Sequence, residues 1–256
     1  MNIGFSTGSL ACGDFQSGIN MLIDSGANVI ELSALREGEL EVLINSLDDL
    51  KLDHFDYVSF HAPSKIERYS EEQLVFHLKK IAKRNINIIL HPDVIQNISL
   101  WRSLGPYLCI ENMDKRKRIG RTSIDLEEIF DNLHEASFCF DLVHVRQVDP
   151  TMSEALIMMK KFGARLKQLH VSDVNSKSFH EPLNLEAIVS FRKIAGLIDP
   201  DIPIVLESPV PKDKIEHEMQ FASLIFDENK FQEFIRSIGI SINPYTGRVE
   251  SLASTL

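Results

Sequence analysis

A short apolar run that stops on a charged side chain is the feature that most constrains this chain. Residues 138–140, Phe-Cys-Phe, have strand character, Asp141 follows them directly, and His144 comes three residues later. A strand that is buried on both faces cannot keep an unpaired carboxylate inside, because burying that charge is too costly. We therefore expect Asp141 to lie at the exit of a buried strand.

The same kind of apolar run recurs along the chain. Between the runs lie segments with helical periodicity, and most runs follow one another at about 20–37 residues, which suits a strand, a crossover helix and a return strand. The eight predicted strands are Ile3–Ser6, Val29–Leu32, Tyr57–Phe60, Asn87–Leu90, Tyr107–Ile110, Ser137–Phe140, Leu166–Leu169 and Ile204–Leu206. Eight β/α units in 256 residues predict an α/β fold of the (β/α)8 TIM-barrel type. A doubly wound open sheet is the alternative.

The sequence also predicts how the chain is organised. Residues 1–241 are predicted to form a single barrel domain, and residues 242–256 an irregular C-terminal tail. The first residues carry no basic region followed by a long apolar core, and no run reaches membrane-spanning length. We therefore expect a cytoplasmic protein with no membrane partner. Three cysteines that lie far apart suit reduced thiols better than a disulfide framework.

The charge of the chain bears on its partners. A formal net charge of −10 argues against a broad electrostatic contact with a nucleic-acid backbone. One segment departs from this balance, because residues 115–121, Lys-Arg-Lys-Arg-Ile-Gly-Arg, contain five cations. These cations suit either the capture of an anionic substrate or a solvated loop, and the sequence leaves both interpretations open.

Acids and histidines end the predicted strands. In a barrel all strand C-termini meet on one face, so these side chains become neighbours whatever their separation in sequence. From the second strand to the eighth, the terminal groups are Glu31, His61, His91, Glu111, Asp141 with His144, His170 and Glu207. Without a cation to organise them, that many acids would repel one another and that many imidazoles would lack partners. A carboxylate and imidazole set without cysteine suits Mn²⁺, Zn²⁺, Mg²⁺ or Fe²⁺.

On these residues the chain resembles the xylose isomerase-like superfamily of TIM barrels. That superfamily contains sugar and sugar-phosphate isomerases and epimerases, and also apurinic-site endonucleases of the endonuclease IV type. The resemblance covers most of the chain and includes the Asp-x-x-His motif of Asp141 and His144 and the His-x-x-Asp motif of His170 and Asp173. It implies that one divalent cation is held by Glu111, Asp141, His170 and Glu207. Members with two or three ions use further histidines, which here match His61, His91, His144 and His180.

The resemblance implies chemistry as well as ligands. In an isomerase or epimerase, Glu111 and Glu207 would flank a substrate carbon, one removing a proton and the other returning it. In a phosphodiester hydrolase, the runner-up interpretation, the same cations would activate water. A barrel without catalytic activity is the third alternative. In the nucleases an Asp stands two residues before the histidine of the loop after strand seven, whereas this chain has Ser178 there.

The expected ligand is a small molecule, an anionic sugar among the candidates. Side chains at the same face are predicted to contact it, and these are Glu31, Asp173, Arg116 and Arg118. The sequence leaves the substrate, the metal, the number of ions from one to three, and the oligomeric state open, a homo-oligomer included.

Overall fold

Eight parallel strands form a closed barrel. The computed structural model describes residues 1–242 and 249–251, with side chains through residue 239. The barrel strands are β1 (Ile3–Ser6), β2 (Val29–Ser33), β3 (Tyr57–His61), β4 (Asn87–Leu90), β5 (Leu108–Glu111), β6 (Ser137–Asp141), β7 (Leu166–Val171) and β8 (Ile204–Leu206). Each strand pairs with the next in sequence, and β8 closes the ring on β1 by pairing Leu206 with Phe5. The TIM-barrel prediction is confirmed.

Helices connect the strands and cover the barrel. Among the described residues they are α1 (Thr7–Ala11), α2 (Phe15–Leu22), α3 (Glu37–Ser46), α4 (Glu71–Ala82), α5 (Ile98–Trp101), α6 (Ser123–Asn132), α7 (Leu142–Val148), α8 (Ser153–Phe162), α9 (Leu185–Ala195), α10 (Ile215–Phe226) and α11 (Glu228–Ser237). Helix α4 shows how the sequence sets such a helix. Ser70 accepts a hydrogen bond from the Gln73 N–H, and the Gln73 side chain accepts one from the Ser70 N–H. Leu74 and Leu78 are fully buried on its inner face.

The strands are buried on both faces, as parallel barrel strands require. Phe5, Phe60 and Phe138 are fully buried. Inside the barrel, Cys109 and Cys139 pack together with Ile89, and both thiols are free. The interior is therefore packed below the layer where the strand-end acids and histidines lie.

Two short antiparallel pairs lie outside the barrel. Asp173–Val174 pairs with His180–Glu181 to form a hairpin after β7, and this hairpin brings His180 to the C-terminal face. Across the predicted boundary between the barrel domain and the tail, Ile240–Ile242 pairs with Val249–Ser251. Residues 243–248 and 252–256 lie outside the described residues, so the domain boundary at residue 241 stays a prediction. No helix in the described part of the chain combines the length and apolar character that crossing a membrane requires.

Candidate active site

Glu111 lies at the centre of a cluster of imidazoles at the C-terminal face of the barrel. Its Oε2 atom is 3.2 Å from His61 Nε2 and 3.3 Å from His91 Nε2. Its Oε1 atom is 3.2 Å from His144 Nδ1 and 3.6 Å from His170 Nδ1. The strand-end residues of β3 to β7 therefore meet around one carboxylate, as the barrel topology predicts.

Two further acids complete the cluster. Glu207 Oε2 lies 3.6 Å from His170 Nδ1, and Asp141 Oδ2 lies 3.3 Å from His144 Nδ1. Three groups bring their ligand atoms within 4.8 Å of one another, and these are His61 with His91 and Glu111, Glu111 with Asp141 and His170, and Glu31 with His170 and Glu207. These groups could hold a metal ion.

The Asp-x-x-His motif follows from the start of a helix. Asp141 is the N-cap of α7, and its Oδ1 atom accepts a hydrogen bond from the His144 N–H at 2.7 Å. This cap fixes the imidazole beside the carboxylate. Asn112 then joins the ends of β5 and β6, because its side chain donates to the Asp141 carbonyl at 2.9 Å and accepts from the Asp141 N–H at 2.8 Å. The sequence analysis missed Asn112, although it directly follows the strand-end acid Glu111.

Local hydrogen bonds orient two of the imidazoles. His61 Nδ1 lies 2.8 Å from the carbonyl oxygen of Ala62, so the Nδ1–H group donates there and Nε2 faces Glu111. His180 Nδ1 lies 2.8 Å from Ser172 Oγ, and His180 Nε2 lies 3.7 Å from Glu207 Oε2. Both rings therefore turn one nitrogen toward a carboxylate of the cluster.

Burial and neighbouring charge set the protonation of the cluster. Burial opposes charge on His61 and on His144. Glu111 and Glu31 nevertheless raise the pKa of His61 to about 9. Asp141 and Glu111 raise the pKa of His144 to about 10. Burial raises the pKa of Asp141 to about 6. For Glu111 burial acts in the same direction, but His91 and His170 outweigh it and hold the pKa of Glu111 well below its usual value.

Unpaired buried atoms show that these residues fit a divalent cation. Asp141 Oδ2 and His170 Nδ1 are both buried and have no hydrogen-bond partner among the described residues. His91 Nδ1 and Glu31 Oε1 are buried and unpaired as well. A buried polar atom without a partner costs about 1–3 kcal/mol, so four of them around one site call for an explanation. A cation between Asp141 Oδ2 and His170 Nδ1 would satisfy both atoms, and carboxylate and imidazole ligands suit Mn²⁺, Zn²⁺, Mg²⁺ or Fe²⁺.

We predict opposite effects of pH on the metal-free protein and on metal binding. The folded protein raises the pKa of His61 and His144, so their stabilisation is complete below about pH 6.5 and is lost as the pH rises through about 9 to 10. Metal binding needs neutral imidazoles and should strengthen over the same range. Urea unfolding with chelator and calorimetric titration with Mn²⁺ measure the two effects. A metal-free midpoint that holds or rises over this range would contradict the assignment.

A cavity of about 400 Å³ opens above the cluster. Cluster residues form its floor, and the lining includes His61, His91, Glu111, His144, His180 and Glu207. Its rim carries apolar side chains, among them Leu35, Phe179 and Pro209, and two cations, Arg116 and Lys117. A cavity of this size suits a small molecule.

The hairpin after β7 presents an apolar ring to this cavity. Phe179 is 62% exposed and lines the rim. Ser178 precedes it with a φ of +62°, and Ser178 Oγ donates to Gln147 Oε1 at 2.9 Å. The Ser178 side chain is therefore occupied away from the cluster. The sequence analysis did not single out Phe179, because a lone Phe in a loop carries no periodic pattern.

The predicted substrate cations differ in their surroundings. Arg116 lines the cavity, but its guanidinium forms an ion pair with Asp114, with Nε at 2.8 Å from Oδ2. Lys117 Nζ similarly lies 2.6 Å from Asp93 Oδ2. Arg118 is exposed and is not among the residues that line the cavity. Acidic neighbours thus neutralise part of the basic segment.

The two predicted acidic contacts lie elsewhere. Asp173 Oδ1 accepts a hydrogen bond from Arg146 Nη1 at 2.9 Å, and Asp173 Oδ2 accepts one from Asn184 Nδ2. Asp173 therefore ties the hairpin to α7 and α9. Glu31 is fully buried beneath the cluster, where its Oε2 atom lies 2.9 Å from His170 Nε2. Neither residue is among those that line the cavity.

Comparison with known proteins places the fold among barrels of this kind. No protein-family model matches the sequence, and no curated protein matches it. Among solved structures, a D-tagatose 3-epimerase-like protein is 14% identical with a TM-score of 0.59, over 93% of this chain and all of that chain. Endonuclease IV from Thermus thermophilus is 15% identical with a TM-score of 0.59, over 89% of this chain and 100% of that chain.

A third solved structure has a similar fold. A xylose isomerase domain protein from Alicyclobacillus acidocaldarius is 10% identical with a TM-score of 0.56, over 88% of this chain and 98% of that chain. At these identities the likeness shows the fold. The chain has the xylose isomerase-like TIM-barrel fold, as its sequence resemblance implies.

Proposed function

We propose that this protein is a divalent-metal-dependent isomerase or epimerase of a sugar or sugar phosphate. One observation carries the proposal. Two carboxylates from different strands, Glu111 and Glu207, each lie 3.6 Å from the same nitrogen of His170 and line the floor of a cavity of about 400 Å³. The fold is similar to that of an epimerase-like protein, which supports this class of reaction. The fold alone does not decide the chemistry.

The residues would act as metal ligands and as proton carriers, and Glu111 and Glu207 would take both roles. A divalent cation held by Glu111, Asp141, His170 and Glu207 would polarise a substrate carbonyl and stabilise negative charge on its oxygen. Glu207 is 8% exposed, lines the cavity and would remove a proton from the adjacent carbon. Glu111, which lies at the same 3.6 Å distance from His170 Nδ1, would return the proton. Glu111 is 1% exposed and touches three other imidazoles, so it is held more firmly than Glu207.

Solvent deuterium incorporation tests the proposed reaction. The protein loaded with Mg²⁺ or Zn²⁺ would be incubated in heavy water with ketose phosphates of five and six carbons and with the corresponding neutral sugars. We expect deuterium to enter at the carbon next to the carbonyl of at least one of them, detected by NMR. Metal-loaded protein that exchanges no proton in any member of the panel would contradict the isomerase proposal.

The basic segment predicts a preference for an anionic substrate. In Arg116→Gln, the affinity for a sugar phosphate should fall about tenfold, since a charge-assisted contact is lost, while the affinity for the matching neutral sugar should not change. Arg118→Gln is the matched control, because Arg118 lies outside the cavity lining. Thermal shift titrations measure the binding of the sugar phosphate and of the neutral sugar to each of the two variants. Equal responses of both variants to the sugar phosphate would remove Arg116 from the site.

A specific observation favours phosphodiester hydrolysis as the second candidate function. Glu111 presents one oxygen to His61 and His91 and the other to His144 and His170, so it could bridge two cations. Paired cations are typical of enzymes that displace groups at phosphorus. The similarity in fold to endonuclease IV supports the same candidate.

Metal content and cleavage separate the candidates. One equivalent of metal after purification without chelator supports the four-ligand isomerase site, and two equivalents support the bridged site. Cleavage of an oligonucleotide with an abasic site at stoichiometric metal would favour the hydrolase. A protein that takes up no metal, and whose thermal stability Mn²⁺ and Zn²⁺ leave unchanged, would instead be a non-catalytic barrel.

A further inference from the structure

A chain of hydrogen bonds runs through the barrel interior to His170. Asn87 Nδ2 donates to the Tyr57 hydroxyl at 3.2 Å, and that hydroxyl donates to Gln168 Oε1 at 2.9 Å. Gln168 Nε2 then donates to Glu31 Oε2 at 2.8 Å. Gln168 and Glu31 are fully buried. These hydrogen bonds therefore connect the first residues of β3 and β4 to His170 in the cluster of acids and imidazoles.

The directions of these hydrogen bonds fix the amide of Gln168. The Tyr57 hydroxyl oxygen accepts a hydrogen bond from the Asn87 NH₂ group, so the hydroxyl proton is available to donate to Gln168 Oε1. The Gln168 NH₂ group must then point away from Tyr57 and toward Glu31. Its nitrogen lies within reach of three groups, which are Glu31 Oε2 at 2.8 Å, His170 Nε2 at 2.9 Å and Cys139 Sγ at 3.6 Å.

Glu31 then decides the tautomer of His170. His170 Nε2 lies 2.9 Å from Glu31 Oε2, at a buried position. A bare Nε2 could accept a hydrogen bond from the Gln168 amide, but it would set its lone pair against a carboxylate oxygen. An Nε2–H group instead makes a charge-assisted hydrogen bond to Glu31, which is about twice as strong as a neutral one. The Nε2–H arrangement is therefore favoured. It leaves Nδ1 to face Glu111 Oε1 and Glu207 Oε2, each at 3.6 Å.

We propose that Glu31 is a positioning residue that holds His170 with Nε2 protonated and Nδ1 directed at the candidate cation site. The inference rests on the proposed metal function. Glu31 Oε2 meets the ring at Nε2, the nitrogen opposite the one that faces Glu111 and Glu207, so this oxygen is placed to orient His170. Carboxylate partners of this kind commonly fix the orientation of ligating histidines.

Substitutions at Glu31 test the proposal through metal affinity. Glu31→Leu removes the acceptor and should weaken Zn²⁺ binding about 10–100-fold in a chelator competition. Glu31→Gln keeps an oxygen acceptor and should restore most of that loss. Ser59→Ala is the matched control, because Ser59 Oγ contacts the same Glu31 oxygen at 3.4 Å without touching His170. A Glu31→Leu variant that binds Zn²⁺ like the native protein would overturn the proposal.

NMR of the native protein gives a test that needs no variant to fold. A long-range ¹H–¹⁵N spectrum should show a proton on His170 Nε2 in the Zn²⁺-loaded protein, and also in the metal-free protein at a pH where the ring carries a single proton. Nε2 without a proton in either state would overturn the positioning role. If the protein binds no Zn²⁺, the proposed function fails, whereas the Nε2 proton of the metal-free protein still decides the role of Glu31.

Discussion

Replacing Asp141 by Asn should abolish the stabilisation of the protein by divalent metal. A ligand present at 100 times its Kd stabilises the folded protein by about 2.7 kcal/mol. In a chain of this size that corresponds to a rise in Tm of about 5–11 °C. Asn keeps an oxygen that can cap α7, as Asp141 Oδ1 does for His144, but it replaces the unpaired Oδ2 by an NH₂ group. Thermal unfolding with Mn²⁺ and with chelator measures the difference.

Asp173→Asn is the control for this experiment. Asp173 is an acid at the same face, but Arg146 and Asn184 occupy its carboxylate. Its replacement should lower the metal-free Tm and leave the rise caused by Mn²⁺ intact. The cluster would not be a metal site if Mn²⁺ raised the Tm of the Asp141→Asn variant as much as that of the native protein.

Replacing Glu207 by Gln should lower the rate of proton exchange by about 10²–10⁴-fold, because the amide cannot accept the proton. Gln nearly matches the shape of Glu, so the cavity and its other lining residues should be preserved. The measurement is the rate of deuterium incorporation, at saturating metal, into the sugar or sugar phosphate that the native protein labels.

Glu181→Gln serves as the comparison for Glu207. Glu181 lies in the hairpin next to His180, and its Oε1 atom accepts a hydrogen bond from Asn175 at an exposed position. Its exchange rate should stay within about twofold of the native rate, as is usual for surface changes. Glu207→Gln protein that holds its metal and still exchanges protons at the native rate would exclude Glu207 as the base.

The barrel could be predicted from sequence because its strands are short, apolar and regularly spaced. The structure ends β6 at Asp141 and β5 at Glu111, one residue beyond the predicted ends. These acids lie at the exits because the barrel interior cannot accept an unpaired charge. The convergence of Glu111, Asp141, His170 and Glu207 then follows from the topology.

The depth of a side chain in the barrel was harder to predict. The sequence places Glu31 near the end of β2 and so at the mouth, but β2 continues to Ser33, and Glu31 lies inside beneath His170. The pattern of a strand gives its inward face without giving the level of each residue along the axis. Register against β3, which pairs Glu31 with Ser59, sets that level.

The loops were the least predictable part of the site. Five cations within residues 115–121 indicate a positively charged loop, but the sequence does not show that Arg116 meets Asp114 or that Lys117 meets Asp93. Such pairs depend on the path of a loop, which no periodic pattern specifies. The exposure of Phe179 likewise depends on the turn at Ser178.

The two hydrogen bonds between the Asn112 side chain and the Asp141 backbone separate changes in the basic loop from changes in the cluster. They clamp the ends of β5 and β6 together ahead of the basic segment, so we expect the candidate metal cluster and the loop above it to vary independently. Exchanging residues 115–119 for another sequence should therefore alter which molecules are accepted while the same ion stays bound. Evolution or design could therefore change the selectivity of the protein through this loop while the cluster around Glu111 stays the same.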